Sequence, residues 1–292
     1  MKFITTTRSG EEHKIAYSDY GQGSPVVLIH GWPLSREMWE YQLEDLVNAG
    51  HRVIKYDRLG FGKSSKPWDG YDYDSLADDL NVLMEDLDLQ DTTLVGFSMG
   101  GGEVVRYLSR FGRNRVRRIA LIASVTPFML KTLDNPEGVD PAVFDEMMEK
   151  IREDRIAFLD DFGKKFFGVN LLSHPVSNQL LDYYRMLCSF ASANSTLKCV
   201  EAFSQTDFRD DLRRVQVPTL IIHGDADKTV PIEASAERTA KIIPHATYIV
   251  YQGAPHGLFY THRKQLNRDL ISFMSGQMPF GKSIPEEKIN YV

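Results

Sequence analysis

Apolar residues along this chain fall into two alternating patterns. Residues 26–30, Val26-Val27-Leu28-Ile29-His30, form a continuous run rich in β-branched side chains. Such a run fits a strand buried on both faces of a parallel sheet. Similar runs recur at 52–56, 92–97, 117–123, 219–223 and 248–251, and shorter strands are predicted at 3–7 and 14–19 around a turn at Ser9-Gly10. Between the runs the period changes to that of a helix. Residues 37–48 place Met38, Tyr41, Leu43, Leu46 and Val47 close to one face. Residues 73–88 place Leu76, Leu80, Leu83, Met84 and Leu87 on one stripe, with acids opposite. Strands alternating with helices predict an α/β fold, a mostly parallel eight-stranded sheet flanked by helices.

One region interrupts the alternation. Residues 126–212 carry helical pattern only, begin with Pro127, Pro136 and Pro141, and are rich in Phe and Met. The strand pattern returns just afterwards, so the segment reads as an all-helical cap inserted before the seventh strand. The expected division is an α/β core over 1–125 and 213–276, a cap over 126–212, and a C-terminal tail over 277–292.

Composition narrows the function classes. The 292 residues include 42% hydrophobic and 25% charged, which excludes a disordered or fibrous chain. Lys plus Arg is 34 and Asp plus Glu is 40, a net charge of −6 that argues against a nucleic-acid or anionic-membrane partner. The apolar runs are far shorter than the ~18 residues of a membrane helix, and the N-terminus carries no signal-peptide pattern. The two cysteines, Cys188 and Cys199, both in the cap, build neither a disulfide framework nor a CxxC site and read as packing residues. The compartment expected is the cytoplasm.

The chemistry centres on Gly96-Phe97-Ser98-Met99-Gly100, a G-x-S-x-G between a strand run and a helical stretch at 100–111. Strand, tight turn and helix are the context a nucleophile elbow requires. A serine needs a base and the base an orienting acid. His256, in Gly253-Ala254-Pro255-His256-Gly257 just past the last strand run, is the predicted base. His223 ends a strand and is expected to pack or hydrogen-bond near its turn. Asp225 and Asp227 both follow that strand. Asp225, beside Gly224, reads as a turn-former, whereas Asp227 is better placed to reach His256. The order Ser98, Asp227, His256 is that of α/β-hydrolases. Two backbone N–H groups complete the expected site: that of Met99, after the nucleophile, and that of Trp32 in His30-Gly31-Trp32-Pro33. Trp32 and the aromatic residues Phe128, Phe144, Phe158, Phe162 and Phe203 are the candidate substrate-binding residues, since ligand pockets are lined by such side chains.

These motifs, with Tyr56-Asp57-Arg58-Leu59-Gly60-Phe61-Gly62-Lys63-Ser64, His223-Gly224-Asp225-Ala226-Asp227 and the run Gly100-Gly101-Gly102-Glu103, resemble the α/β-hydrolase superfamily. Within it they look like the cofactor-free bacterial haloperoxidases and their aryl-esterase relatives, over residues 1–275. The resemblance implies a serine esterase acting on small carboxylic esters through an acyl-enzyme. It also implies perhydrolysis, with peroxide in place of water, and metal-free oxidation of halide by the peracid formed. By the same match Ser98, Asp227 and His256 are the triad and the Trp32 and Met99 amides the oxyanion hole. No metal and no other cofactor is expected. The expected partners are a small-molecule ester or a peracid-forming carboxylic acid, and, by resemblance, further copies of the chain in a trimer or hexamer. The rival reading is a ligand receptor or slow sensor on a hydrolase fold, which a turnover assay separates.

Overall fold

The structure, a computed structural model, describes residues 1–8 and 10–277. Ser9 of the expected turn and all but the first residue of the expected tail lie outside the described residues. Among the described residues eight strands form one sheet: β1 (Lys2–Arg8), β2 (Glu11–Tyr20), β3 (Ser24–Ile29), β4 (His51–Tyr56), β5 (Thr92–Phe97), β6 (Val116–Ile122), β7 (Thr219–Gly224) and β8 (Thr247–Tyr251). Their order across the sheet is β1-β2-β4-β3-β5-β6-β7-β8. The β1–β2 and β2–β4 pairs are antiparallel and the remaining five pairs parallel.

Alternation along the strands divides the core. Val27 and Ile29 of β3, with Leu94 of β5 and Leu121 of β6, face one layer, where α2 (Tyr73–Asp86) and α3 (Met99–Phe111) pack. Val26, Leu28, Val95 and Ile122 face the other, with α1 (Glu40–Asn48), α9 (Leu258–Thr261) and α10 (Arg263–Met274). Both faces are covered, so these strands read as unbroken apolar runs. The short α8 (Ala236–Ile242) lies between β7 and β8.

Between β6 and β7 come four helices: α4 (Pro141–Phe166), α5 (Asn178–Ser189), α6 (Ala193–Gln205) and α7 (Arg209–Arg213). Ser177 and Ser192 cap α5 and α6, each accepting an N–H of the first turn. The long α4 is broken at Asp154, whose φ of −149° and ψ of 91° leave the helical region. Its carboxylate accepts from the Ile156 and Ala157 amides, both at 3.0 Å, and so caps the second half of the helix. The last helix, α7, packs on α3 of the core, and Phe208 just before it meets the Tyr73 ring edge-on at 4.6 Å.

The strands position the site through their carboxyl ends. His30, Ser98, Asp227 and His256 follow β3, β5, β7 and β8. The chain passes from β3 to β4 on one side and returns to β5 on the other, a crevice where open α/β sheets bind ligands. No helix among the described residues is long and apolar enough to cross a membrane.

Candidate active site

Ser98 stands between β5 and α3 with φ of 54° and ψ of −119°, a strained conformation for a residue with a side chain. The turn survives because its surroundings hold it. The Ser98 amide donates to the Ile122 carbonyl at 2.8 Å, and the Ser98 carbonyl accepts from Gly101 at 3.0 Å. A Cβ on Gly96 would run into the backbone of Gly100, and one on Gly100 would come within 2.7 Å of the Ile29 carbonyl, so strand and helix meet only without side chains there.

The structure brings the three expected side chains into one hydrogen-bonded chain. His256 Nε2 is 3.0 Å from Ser98 Oγ, and His256 Nδ1 is 2.5 Å from Asp227 Oδ2. A carboxylate facing Nδ1 requires the proton there, which leaves Nε2 with a lone pair for the Ser98 hydroxyl. The His256 ring is buried against Phe97 and Phe166, with centroids at 5.0 and 4.9 Å. The amide of the next residue, Gly257, donates to the Phe166 carbonyl at the end of α4 at 2.8 Å. The end of α4 thus ties down the loop that carries His256.

Asp227 is buried, and burial alone would raise its pKa. The two imidazoles that face it, His256 and His223, together outweigh that effect through their hydrogen bonds and favourable electrostatics, and hold the carboxyl well below the usual carboxylate range. Its Oδ1 also accepts the Thr229 and Val230 amides, each at 2.8 Å. Asp225 is exposed and accepts the Gly253 amide at 2.6 Å, joining its loop to the one that leads to His256.

The second arm of the site is the loop after β3. The His30 Nε2 accepts the Arg58 amide at 3.0 Å, so the ring carries its proton on Nδ1, which donates to the Gly31 carbonyl at 2.8 Å. Burial and the neighbouring Arg58 hold the His30 pKa well below its ordinary value and keep the ring neutral. The Gly31 carbonyl also accepts the Leu34 amide at 3.1 Å. In a planar trans peptide the Trp32 N–H points opposite to that carbonyl, away from the His30 ring. Met99 opens α3, where N–H groups lack acceptors within the helix and partial positive charge gathers. The Trp32 indole donates to the Thr196 carbonyl of α6 at 3.0 Å.

A cavity of about 570 Å³ opens onto Ser98 and His256. Trp32, Phe144, Phe158, Phe162 and Phe203 line it as expected, together with Met129, Val139 and Met147. Lining residues recur on α4 at Val143, Phe144, Glu146, Met147, Lys150, Glu153, Asp154, Ala157, Phe158, Asp161, Phe162 and Lys165. The positions recur at helical spacing on each side of the break at Asp154, so each half of α4 turns one face to the cavity. Phe128 is a correction. It is buried and is not among the residues lining the cavity; its ring instead packs against the Arg209 guanidinium, 5.5 Å away. Cys188 and Cys199 are buried, and burial pushes both thiols up to about 12, which leaves them unreactive.

Sequence reasoning missed the support beneath the β3 loop. Glu103 of α3 accepts Arg58 Nε at 2.9 Å and Nη2 at 2.8 Å, and also accepts the Tyr56 hydroxyl. Arg58 Nη2 donates in turn to the His30 carbonyl at 3.0 Å. Next to it, Asp57 accepts the Arg36 guanidinium and the Arg36 and Lys63 amides, both at 2.8 Å.

An eight-stranded, mostly parallel sheet with a Ser–His–Asp chain at its carboxyl edge defines a hydrolase of the α/β class. The chain belongs to the alpha/beta hydrolase fold family, whose profile matches residues 24–263. It is 44% identical over 274 residues to the non-heme chloroperoxidase of Kitasatospora aureofaciens, covering 93% of this chain and 99% of that one. It is 37% identical over 272 residues to the bifunctional esterase/perhydrolase of Acinetobacter calcoaceticus, covering 92% and 98%. The crystal structure of the bromoperoxidase from Bacillus anthracis superposes with a TM-score of 0.90 at 47% identity, covering 94% of this chain and all of that one.

Proposed function

We propose that this protein is a serine esterase of small carboxylic esters that also transfers the acyl group to hydrogen peroxide. The observation that carries the reading is the hydrogen-bonded chain from Ser98 Oγ through His256 to Asp227 beneath an apolar cavity. The relatives named as a chloroperoxidase and an esterase/perhydrolase support the acyl chemistry.

In this reading His256 Nε2 takes the hydroxyl proton as Ser98 Oγ attacks the ester carbonyl. Asp227 holds the ring in its Nδ1–H tautomer and stabilises the imidazolium that forms. The Met99 and Trp32 N–H groups receive the developing oxyanion, and each such donor is worth about 10²–10³ in rate. The imidazolium then gives its proton to the leaving alkoxide, and an acyl ester on Ser98 remains. Water, deprotonated by His256, cleaves that ester to the acid. Hydrogen peroxide in the same place gives a peracid and restores Ser98. The peracid oxidises a halide to hypohalous acid and returns as the carboxylic acid, a step that balances with no metal.

The test is Ser98→Ala. The variant should retain the wild-type unfolding temperature and lose at least about a thousandfold of kcat on p-nitrophenyl acetate. Bromide oxidation with acetate and peroxide should fall with it. Wild-type turnover in Ser98→Ala would refute the serine mechanism, and fast multiple turnover in the wild type would rule out a receptor role.

A further inference from the structure

The mechanism above uses one histidine, yet a second imidazole stands on the same carboxylate. His223, in β7, is fully buried, and its Nε2 lies 3.2 Å from Asp227 Oδ2 and 2.9 Å from the Val230 carbonyl. Both neighbours are acceptors, so Nε2 carries the proton and its N–H is shared between them. The other ring nitrogen, Nδ1, is buried with no partner among the described residues. All hydrogen bonds of the ring among the described residues are therefore made through Nε2.

We propose that His223 is a positioning residue for the acid of the triad. Its N–H fastens the 225–230 loop to the sheet at two points, one on the carboxylate and one on the backbone three residues beyond. The Thr229 and Val230 amides hold Oδ1 from one side. His223 holds Oδ2 from the strand side and leaves His256 Nδ1 the remaining approach. Without His223, Oδ2 would have one fewer donor, its negative potential would concentrate on His256, and the carboxylate would be free to turn.

The ionisable groups that act on Asp227 are these two histidines, His256 from the loop after β8 and His223 from β7. On the Asp227 loop itself, Asp225 and Lys228 are exposed. A change in the pH profile on substitution of His223 therefore reports the Asp227 contact.

The inference rests on the serine reading, and the experiment separates the two. Gln places an amide N–H where imidazole Nε2 stands, whereas Asn of the same polarity ends short of it and Leu carries no donor. His223→Leu and His223→Asn should each lose about tenfold to a hundredfold in kcat/KM for p-nitrophenyl acetate, the range for a hydrogen bond to a charged group. The acid limb of their kcat/KM profile should move to higher pH, because an under-bonded carboxylate favours the protonated base. His223→Gln should return to within about threefold of wild type, with the limb restored. A merely structural role would lower the unfolding temperature and move neither the limb nor the Gln–Asn difference. Equal activity in the Gln and Asn variants, or a wild-type profile in His223→Asn beside an inactive Ser98→Ala, overturns the proposal alone. Wild-type turnover in Ser98→Ala overturns the serine reading and this role with it.

Discussion

Replacing Glu103 by Gln removes one charge from the interior without changing its shape. Glu103 and Arg58 are both buried, and Arg58 offers two N–H groups to Glu103 Oε2 at 2.8 and 2.9 Å. The Tyr56 hydroxyl adds a third donor; burial and the Glu103 charge push its pKa well up, so it stays protonated. An amide in place of the carboxylate leaves the Arg58 guanidinium buried without its counter-charge. Breaking a buried pair on one side costs about 3–5 kcal/mol. For a chain of this length each kcal/mol moves the unfolding temperature by about 2 °C, so Glu103→Gln should unfold about 6–10 °C below wild type. Differential scanning calorimetry checks this directly. Removing both charges together, in Arg58→Met/Glu103→Leu, should recover at least about half of the loss, since the desolvation of both ions goes with them. A single variant within about 2 °C of wild type would refute the view of Glu103 as the buried counter-charge. So would a double variant less stable than Glu103→Gln.

Three further outcomes bear on the site. A Cβ on Gly31 would stand 2.6 Å from the Phe97 ring and 3.1 Å from Ser98 Cβ, both buried. Gly31→Ala should therefore displace the Trp32 amide and lower kcat on p-nitrophenyl acetate by about a hundredfold or more, with KM little changed. Phe162 stacks on Phe158 and borders the cavity, so Phe162→Ala should raise the preference for p-nitrophenyl hexanoate over acetate by about tenfold in kcat/KM. The folded pKa of His30 lies well below its unfolded value, near 6.5. Only the unfolded state takes up its proton as pH falls below that value, so its neutral burial supports the fold above about pH 6.5 and costs stability below. Wild type should lose up to about 1 kcal/mol more than His30→Asn between pH 6.5 and 5.5 in urea unfolding; parallel slopes would count against it.

The strands were legible because parallel strands buried on both faces are written as unbroken apolar runs. The predicted run at 92–97 coincides with β5, and those at 26–30 and 52–56 overlap β3 and β4 closely. Ser98, Asp227 and His256 were legible for a related reason: each follows such a run, and the carboxyl ends of parallel strands share one edge. The Arg58–Glu103 pair was not legible, since charged residues read as surface and 45 positions separate the two. Only the packing of α3 against the sheet brings them together. The break in α4 falls in Arg152-Glu153-Asp154-Arg155, a stretch with neither Gly nor Pro, and its signal is the capping capacity of Asp154 alone. Phe128 does not border the cavity: aromatic content says that a segment is apolar, not which way a ring turns. His223 left a faint trace in its spacing of four from Asp227, which a reading of histidines one at a time passes over.

The helices between β6 and β7 are hydrogen-bonded to the loops that carry the candidate site. Thr196 of α6 accepts the Trp32 indole, the Phe166 carbonyl of α4 accepts the amide beside His256, and Ser195 Oγ and the Ser192 amide bond the Gly60 carbonyl at 2.9 Å. These contacts join α4, α6 and the turn before α6 to the loop of the expected base, to the loop of the expected oxyanion donor, and to the 57–64 segment next to the Arg58 cluster. A cap that only enclosed substrate would alter KM when its helices shift. One bonded to both loops would pass a shift in α4 or α6 on to the distance between His256 and Ser98, and so, in the proposed mechanism, to kcat. In the proposed mechanism the same two helices would set both the aromatic lining and the proton-transfer geometry, coupling the choice of acyl group to the rate of its transfer.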